Sequence, residues 1–236
     1  MLAKIGPEGS LHLIRKKQVS EIVRILDVTA KKTNLSHHAM DIRHFPTSVA
    51  DNGGKILYLS RLWDPARHTN PEEKERRRIQ SETRIAICRT IRRHFPGSIV
   101  GLANEPYTQA MAPDLVLDNS FTSKLAFMKA LRSTDICLAD DGLGDTPGWK
   151  IGEYLMHGKA IITTPIRTVV QDFKQGRNYL ELEKNRVEND LLDLINQLLI
   201  NKRYTAMGNE NLAWSQRYLY PDNYLKNLLH LAGEMP

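Results

Sequence analysis

The chain has 236 residues, of which 41% are hydrophobic and 25% charged, and a formal net charge of +6. That is enough for one large domain, or one domain and a piece of another, with the composition of an ordinary soluble globular protein. No run approaches the ~18 consecutive apolar residues of a membrane span, and residues 1–10 hold no apolar core of signal-peptide length, so the expected location is the cytoplasm. Cys88 and Cys137 fall inside a predicted helix and a predicted strand and read as buried free thiols. Basic clusters at Arg15-Lys16-Lys17, Lys31-Lys32, Arg76-Arg77-Arg78 and Arg92-Arg93 suit phosphorylated substrates, anionic lipid or nucleic acid. The Arg76 cluster, however, follows Glu72, Glu73 and Glu75, as on a salt-bridged, solvated helix face. No zinc spacing, RNA-binding aromatic motif or basic-zipper heptad accompanies the charge, so nucleic acid is not an expected partner.

Residues 1–54 are the least regular part. A helix end at 19–26 is followed by polar turns, the pair His37-His38 and an extended piece at 41–46. Asn52-Gly53-Gly54 is a strong breaker and marks the expected boundary between a remnant plus linker (1–54) and a domain (55–236). From there the pattern alternates. Residues 56–59 read as a buried strand, 71–95 as a long helix with Pro71 near its start and Pro96-Gly97 after it, and 98–102 as a second strand. Residues 115–117 are a candidate strand, 123–132 a helix and 136–138 a strand. A helix at 149–156 closed by Gly158, a strand at 160–163 and a short strand at 178–180 follow. Helical stretches at 187–201 and 204–218 and a last helix from Asp222 complete the chain. Strands alternating with helices predict an α/β fold, a Rossmann-like parallel sheet with helices on both faces. Ligands of such sheets bind beyond the carboxyl ends of the strands.

The most informative stretch is 135–164, DICLADDGLGDTPGWKIGEYLMHGKAIITT. A buried strand runs into a loop holding Gly142, Gly144 and Gly148, and a helix begins directly after it. Glycines allow backbone N–H groups to approach a phosphate, and a helix N-terminus favours its charge. Lys150 adds a positive charge there, and Glu153, one turn on, has the chemistry to accept hydrogen bonds from ribose hydroxyls. This is a coherent nucleoside-diphosphate site. Asp140-Asp141 also admits a metal-binding reading, and Asn104 and Tyr107, after the second strand, are candidates for contact with a nucleobase. His157 reads as a helix-end or solvent-facing residue.

The same stretch resembles the motif of group-1, retaining GT-B glycosyltransferases, an acidic residue and, eight positions on, a Glu in a helix that ends in Gly-Lys. Asp145 stands in the first acidic position, Glu153 in the second, and Gly158-Lys159 at the helix end. The resemblance implies that Glu153 holds the donor ribose and Asp145, one methylene shorter than the usual Glu, contacts the donor sugar. Ser60-Arg61-Leu62 is similar to the family's Gly-Arg-Leu at the end of the first strand, with Arg67 as the later cation, so Arg61 and Arg67 are the expected pyrophosphate ligands. Residues 172–180 look like the turn before the final strand and 214–224 like the closing helices, so the likeness covers about 55–229.

The implied activity is a hexosyl-type transfer from a nucleoside-diphosphate sugar to a saccharide or lipid-linked acceptor, in polysaccharide biosynthesis. It is metal-independent, needs no cofactor and retains the anomeric configuration. The chain would be the C-terminal, donor-binding half of a GT-B fold, poorly active without an N-terminal domain, with peripheral contact at the inner membrane face possible. Asp145 and Ser60 keep open a second reading, a non-catalytic module binding a nucleotide or sugar phosphate. A flavodoxin-like signalling domain with Mg²⁺ at Asp140-Asp141 is a third.

Overall fold

The computed structural model describes residues 45–118, 121, 123–141 and 146–233. The sequence-predicted helix at 19–26 and the residues Gly142, Gly144 and Asp145 lie outside the described residues.

Five parallel strands form the sheet, β1 (Ile56–Ser60), β2 (Ile99–Leu102), β3 (Ile136–Ala139), β4 (Ala160–Thr163) and β5 (Leu180–Glu181), in the order β2-β1-β3-β4-β5. Around it lie α1 (Pro71–His94), α2 (Pro106–Met111), α3 (Lys124–Arg132), α4 (Trp149–Met156), α5 (Val187–Leu199), α6 (Arg203–Tyr218) and α7 (Pro221–Leu231). This is the α/β, Rossmann-like arrangement expected from the alternation.

The strands are apolar at successive positions because both faces are covered. Ile56, Tyr58, Ile136, Leu138, Ala160 and Ile162 share one core with Ile87, Cys88 and Ile91 of α1 and Leu191, Ile195 and Leu198 of α5. Their neighbours Leu57, Leu59, Cys137, Ala139 and Ile161 are equally buried and, by the period of a strand, point to the other face. Helices α4 and α6, the latter also giving Tyr204 and Met207 to the first core, pack against β4. Their approach depends on two glycines. Gly158 ends α4 at φ +60°, and a Cβ on Gly208 of α6 would stand 2.3 Å from the Gly158 carbonyl oxygen.

The chain before β1 is tied to the sheet. The Asp135 carboxylate accepts from the backbone N–H groups of Asn52 (3.0 Å) and Gly54 (2.8 Å) and from Asn52 Nδ2 (2.9 Å). The described residues from Pro46 onward form one compact unit.

Two local expectations need correction. Residues 115–117 do not form a strand. Pro113 opens a 3₁₀ turn (Pro113–Leu115), which leaves Val116 making one isolated bridge to Leu102. His157 does not face solvent. It is 2% exposed, its Nδ1 lies 2.8 Å from the Glu153 carbonyl oxygen, and burial pushes its pKa down to about 4.

The chain reverses its direction of sheet growth between β1 and β3, so the crevice beyond their carboxyl ends is where a ligand is expected. The two strands pair only at Ile56–Ile136 and Leu57–Cys137. Past Leu57 they part, and polar side chains fill the gap.

Candidate functional site

Asp140, the first residue after β3, occupies the gap between the strands. Its Oδ2 accepts from Arg84 Nε (3.0 Å) and more distantly from Ser60 Oγ (3.4 Å), and its Oδ1 accepts from the Tyr58 hydroxyl (2.8 Å). The side chains of Arg84 and Asp140 are 6% and 10% exposed. Burial and the adjacent Asp140 carboxylate push the Tyr58 phenol well above its ordinary pKa. Arg84 Nη1 also donates to the Arg61 carbonyl oxygen at 2.5 Å, so the buried pair holds the backbone of the loop that carries Arg61.

Asp141 faces away from this cluster. It accepts from the Thr164 hydroxyl (2.5 Å) and from Lys184 Nζ (2.9 Å), and its own N–H donates to Thr164 Oγ1 (2.7 Å). The two aspartates are thus separately neutralised by Arg84 and Lys184. No group of three His, Cys, Asp or Glu suited to a metal ion occurs among the described residues.

Gly148 begins α4. It has ordinary φ of −61°, and its role is close approach, since a Cβ there would stand 2.6 Å from the Asp140 carbonyl oxygen. Gly148, the N-cap of α4, has no side chain to cap the helix, and the Ile151 N–H donates to the Gly148 carbonyl oxygen (2.9 Å), so the N–H groups of Trp149 and Lys150 are the ones a ligand would meet. Lys150 points inward from that turn and donates to the Leu59 carbonyl oxygen, beyond the point where β1 and β3 stop pairing. Burial pushes its amine down to about 8, against the pull of Asp140.

Glu153 lies one turn further along α4, its side chain 19% exposed. One oxygen, Oε1, is bonded by Lys124 Nζ from the first turn of α3. The other, Oε2, is buried and has no hydrogen-bond partner among the described residues. A buried carboxylate oxygen without a donor is costly, and a ligand hydroxyl would supply one.

Arg61 and Arg67 sit on the loop after β1, with side chains 66% and 72% exposed. Each has a loose carboxylate neighbour, Glu105 at 3.8 Å and Asp64 at 3.8 Å. Such exposed pairs are worth little and exchange readily for a phosphate. Asn104 is exposed after β2, its Oδ1 accepting from Gln109 Nε2 at 2.7 Å.

The structure therefore brings Gly148, Lys150 and Glu153 together along one helix end and puts Arg61 and Arg67 on the loop after the neighbouring strand. Arg84 and Lys124 were missed. Arg84 shares the helical spacing of Ile87, Cys88 and Ile91, a signal that this arginine faces inward. Nothing local in the sequence pairs Lys124 with Glu153, 29 residues away.

No protein-family model and no curated protein matches the chain. Thirteen chains of solved structures do. One is TarM, with 15% sequence identity and a TM-score of 0.49, covering 81% of this chain and 37% of that one. Another is an S. aureus TarM mutant in complex with fondaparinux, alpha-GlcNAc-glycerol and UDP, with 15% identity and a TM-score of 0.47, covering 81% of this chain and 38% of that one. The chain thus spans well under half the length of these structures.

Proposed function

We propose that this chain is the donor-binding part of a glycosyltransferase, acting on a nucleoside-diphosphate sugar. The observation that carries the reading is the state of Glu153. Lys124 holds one of its oxygens, and the other is a buried acceptor lacking a donor, one turn inside an uncapped helix that carries Lys150. In this reading the ribose hydroxyls donate to Glu153 Oε2. The diphosphate lies against the first N–H groups of α4, with the Lys150 amine beside it.

Arg61 and Arg67 stabilise the negative charge that develops on the leaving diphosphate as the bond between it and the sugar breaks. That is electrostatic catalysis, worth ~3 kcal/mol per well-placed donor. Arg84 acts at one remove, through its hydrogen bond to the Arg61 carbonyl. Gly144 and Asp145 belong to the same proposal through the family resemblance, as a phosphate-binding amide and a donor-sugar contact. Asn104 is assigned to the nucleobase, and retention of configuration and independence from metal are likewise proposed. The acceptor, a saccharide or a lipid-linked saccharide, would be bound by a further domain facing the carboxyl edge of the sheet.

Hydrolysis of UDP-, GDP- and ADP-sugars by the purified chain, with Glu153→Ala as control, tests the reading. Slow, Glu153-dependent release of the nucleoside diphosphate is expected. No release and no binding of any donor would leave a fold without this function.

A further inference from the structure

We propose that Trp149 is the platform on which the donor's nucleobase stacks. The inference rests on the donor reading of Glu153 and assigns the specificity side of that same site. Of the three tryptophans, two are covered by side chains. Trp63 lies under the guanidinium groups of Arg76 and Arg84, each 5.0 Å from its ring centroid. Trp214 packs on Phe173 (5.5 Å) and Tyr218 (4.9 Å) and donates its indole N–H to the Gln171 carbonyl oxygen (2.9 Å). Trp149 is instead 73% exposed at the first position of α4.

Its placement ties it to the ribose acceptor. Trp149 and Glu153 are four residues apart on one helix, hence on the same face. Both meet the Lys124 ammonium, which bonds Glu153 Oε1 and stands 6.0 Å from the Trp149 ring centroid. Lys124 is in turn 5.6 Å from the Phe127 ring centroid, so its position is fixed from α3. An aromatic face one helical turn from a carboxylate with an unpartnered oxygen matches the two ends of a nucleoside, base and ribose diol. The lysine between them holds the carboxylate and draws on the π-face of the indole. The uncapped N-terminus of α4 then receives the diphosphate, so all three parts of the donor contact one helix.

The test uses the whole chain with UDP, GDP and ADP, each compared with ribose 5-diphosphate, which lacks the base. Binding to wild type should quench tryptophan fluorescence. Trp149→Ala should weaken nucleoside diphosphate binding about ten-fold, the usual scale of a base–aromatic stack, and Trp149→Phe should restore most of it. Trp149→Ala should also bind nucleoside diphosphate and ribose 5-diphosphate nearly equally, because the base then has nothing to stack on. Circular dichroism of each variant shows that the fold is kept. Wild-type affinity in Trp149→Ala would overturn the assignment, as would an equal loss on both ligands. Those results would leave Glu153-dependent binding intact, whereas failure of wild type to bind either ligand would remove the donor site and the platform with it.

Discussion

Asp140→Ala strands a buried guanidinium, and its cost can be worked from the contacts. The substitution removes the Arg84 partner at 3.0 Å and the acceptor of the Tyr58 hydroxyl at 2.8 Å. Both side chains of the ion pair are nearly sealed from water, at 6% and 10% exposure. Breaking a buried pair from one side costs about 3–5 kcal/mol, mostly because the remaining charge is left uncompensated. In a domain of this size that is a fall in Tm of roughly 10 °C. Tyr58→Phe, which deletes one donor and leaves Arg84 in place, should cost only about 1 kcal/mol. The informative variant is the double one, Arg84→Met with Asp140→Leu, which replaces the pair by apolar groups and should be more stable than Asp140→Ala alone. Urea unfolding of the four proteins closes the comparison. Because Arg84 also holds the Arg61 carbonyl, the double variant should recover stability without recovering donor affinity. A loss below 1 kcal/mol in Asp140→Ala, or a double variant no more stable than Asp140→Ala, would refute the view of this pair as the polar centre of the switch point.

Other outcomes follow from single contacts. Gly208→Ala should destabilise in urea by about 1–3 kcal/mol through overpacking, outweighing the roughly 1 kcal/mol gain in helix propensity, because its Cβ would meet the Gly158 carbonyl oxygen at 2.3 Å. Gly152→Ala, with nothing nearer than 4.0 Å, should instead stabilise α4. The Lys150 amine has its folded pKa lowered from 10.5 to about 8, so its burial cost is fully present below pH 8 and is relieved as pH rises toward 10.5. Wild-type stability should therefore rise relative to Lys150→Met across that window, by at most about 1.4 kcal/mol per pH unit, in denaturation at matched pH values. Arg61→Ala and Arg67→Ala should each weaken pyrophosphate binding about ten-fold by calorimetry and flatten its salt dependence.

The strands and most helices were legible in the sequence because each is a short apolar run or a 3.6-period segment closed by Pro or Gly. The helix Trp149–Met156 and the strand Ala160–Thr163 have the bounds read from residues alone. Residues 115–117 misled because three apolar residues satisfy a strand pattern, whereas the chain needs a turn there, which Pro113 starts. Helix α2 went unread because six residues are too few to show a period, although Pro106 at its start was a signal. In the site, the interval from Gly148 to Glu153 was readable as local geometry. The partners were not. Arg84 with Asp140 spans 56 residues and Lys124 with Glu153 spans 29, so each exists only once the sheet places α1, α3 and α4 around the ends of β1 and β3. His157 does stand at the helix end, as its C-cap, but its burial was not readable, since that depends on how α4 packs.

Calorimetric titration of the chain with UDP, GDP, ADP and CMP, repeated with Glu153→Ala, tests the donor site most directly. The account predicts that a nucleoside diphosphate binds the wild type and that the variant loses it. Unchanged binding in Glu153→Ala, or none in the wild type, would contradict it.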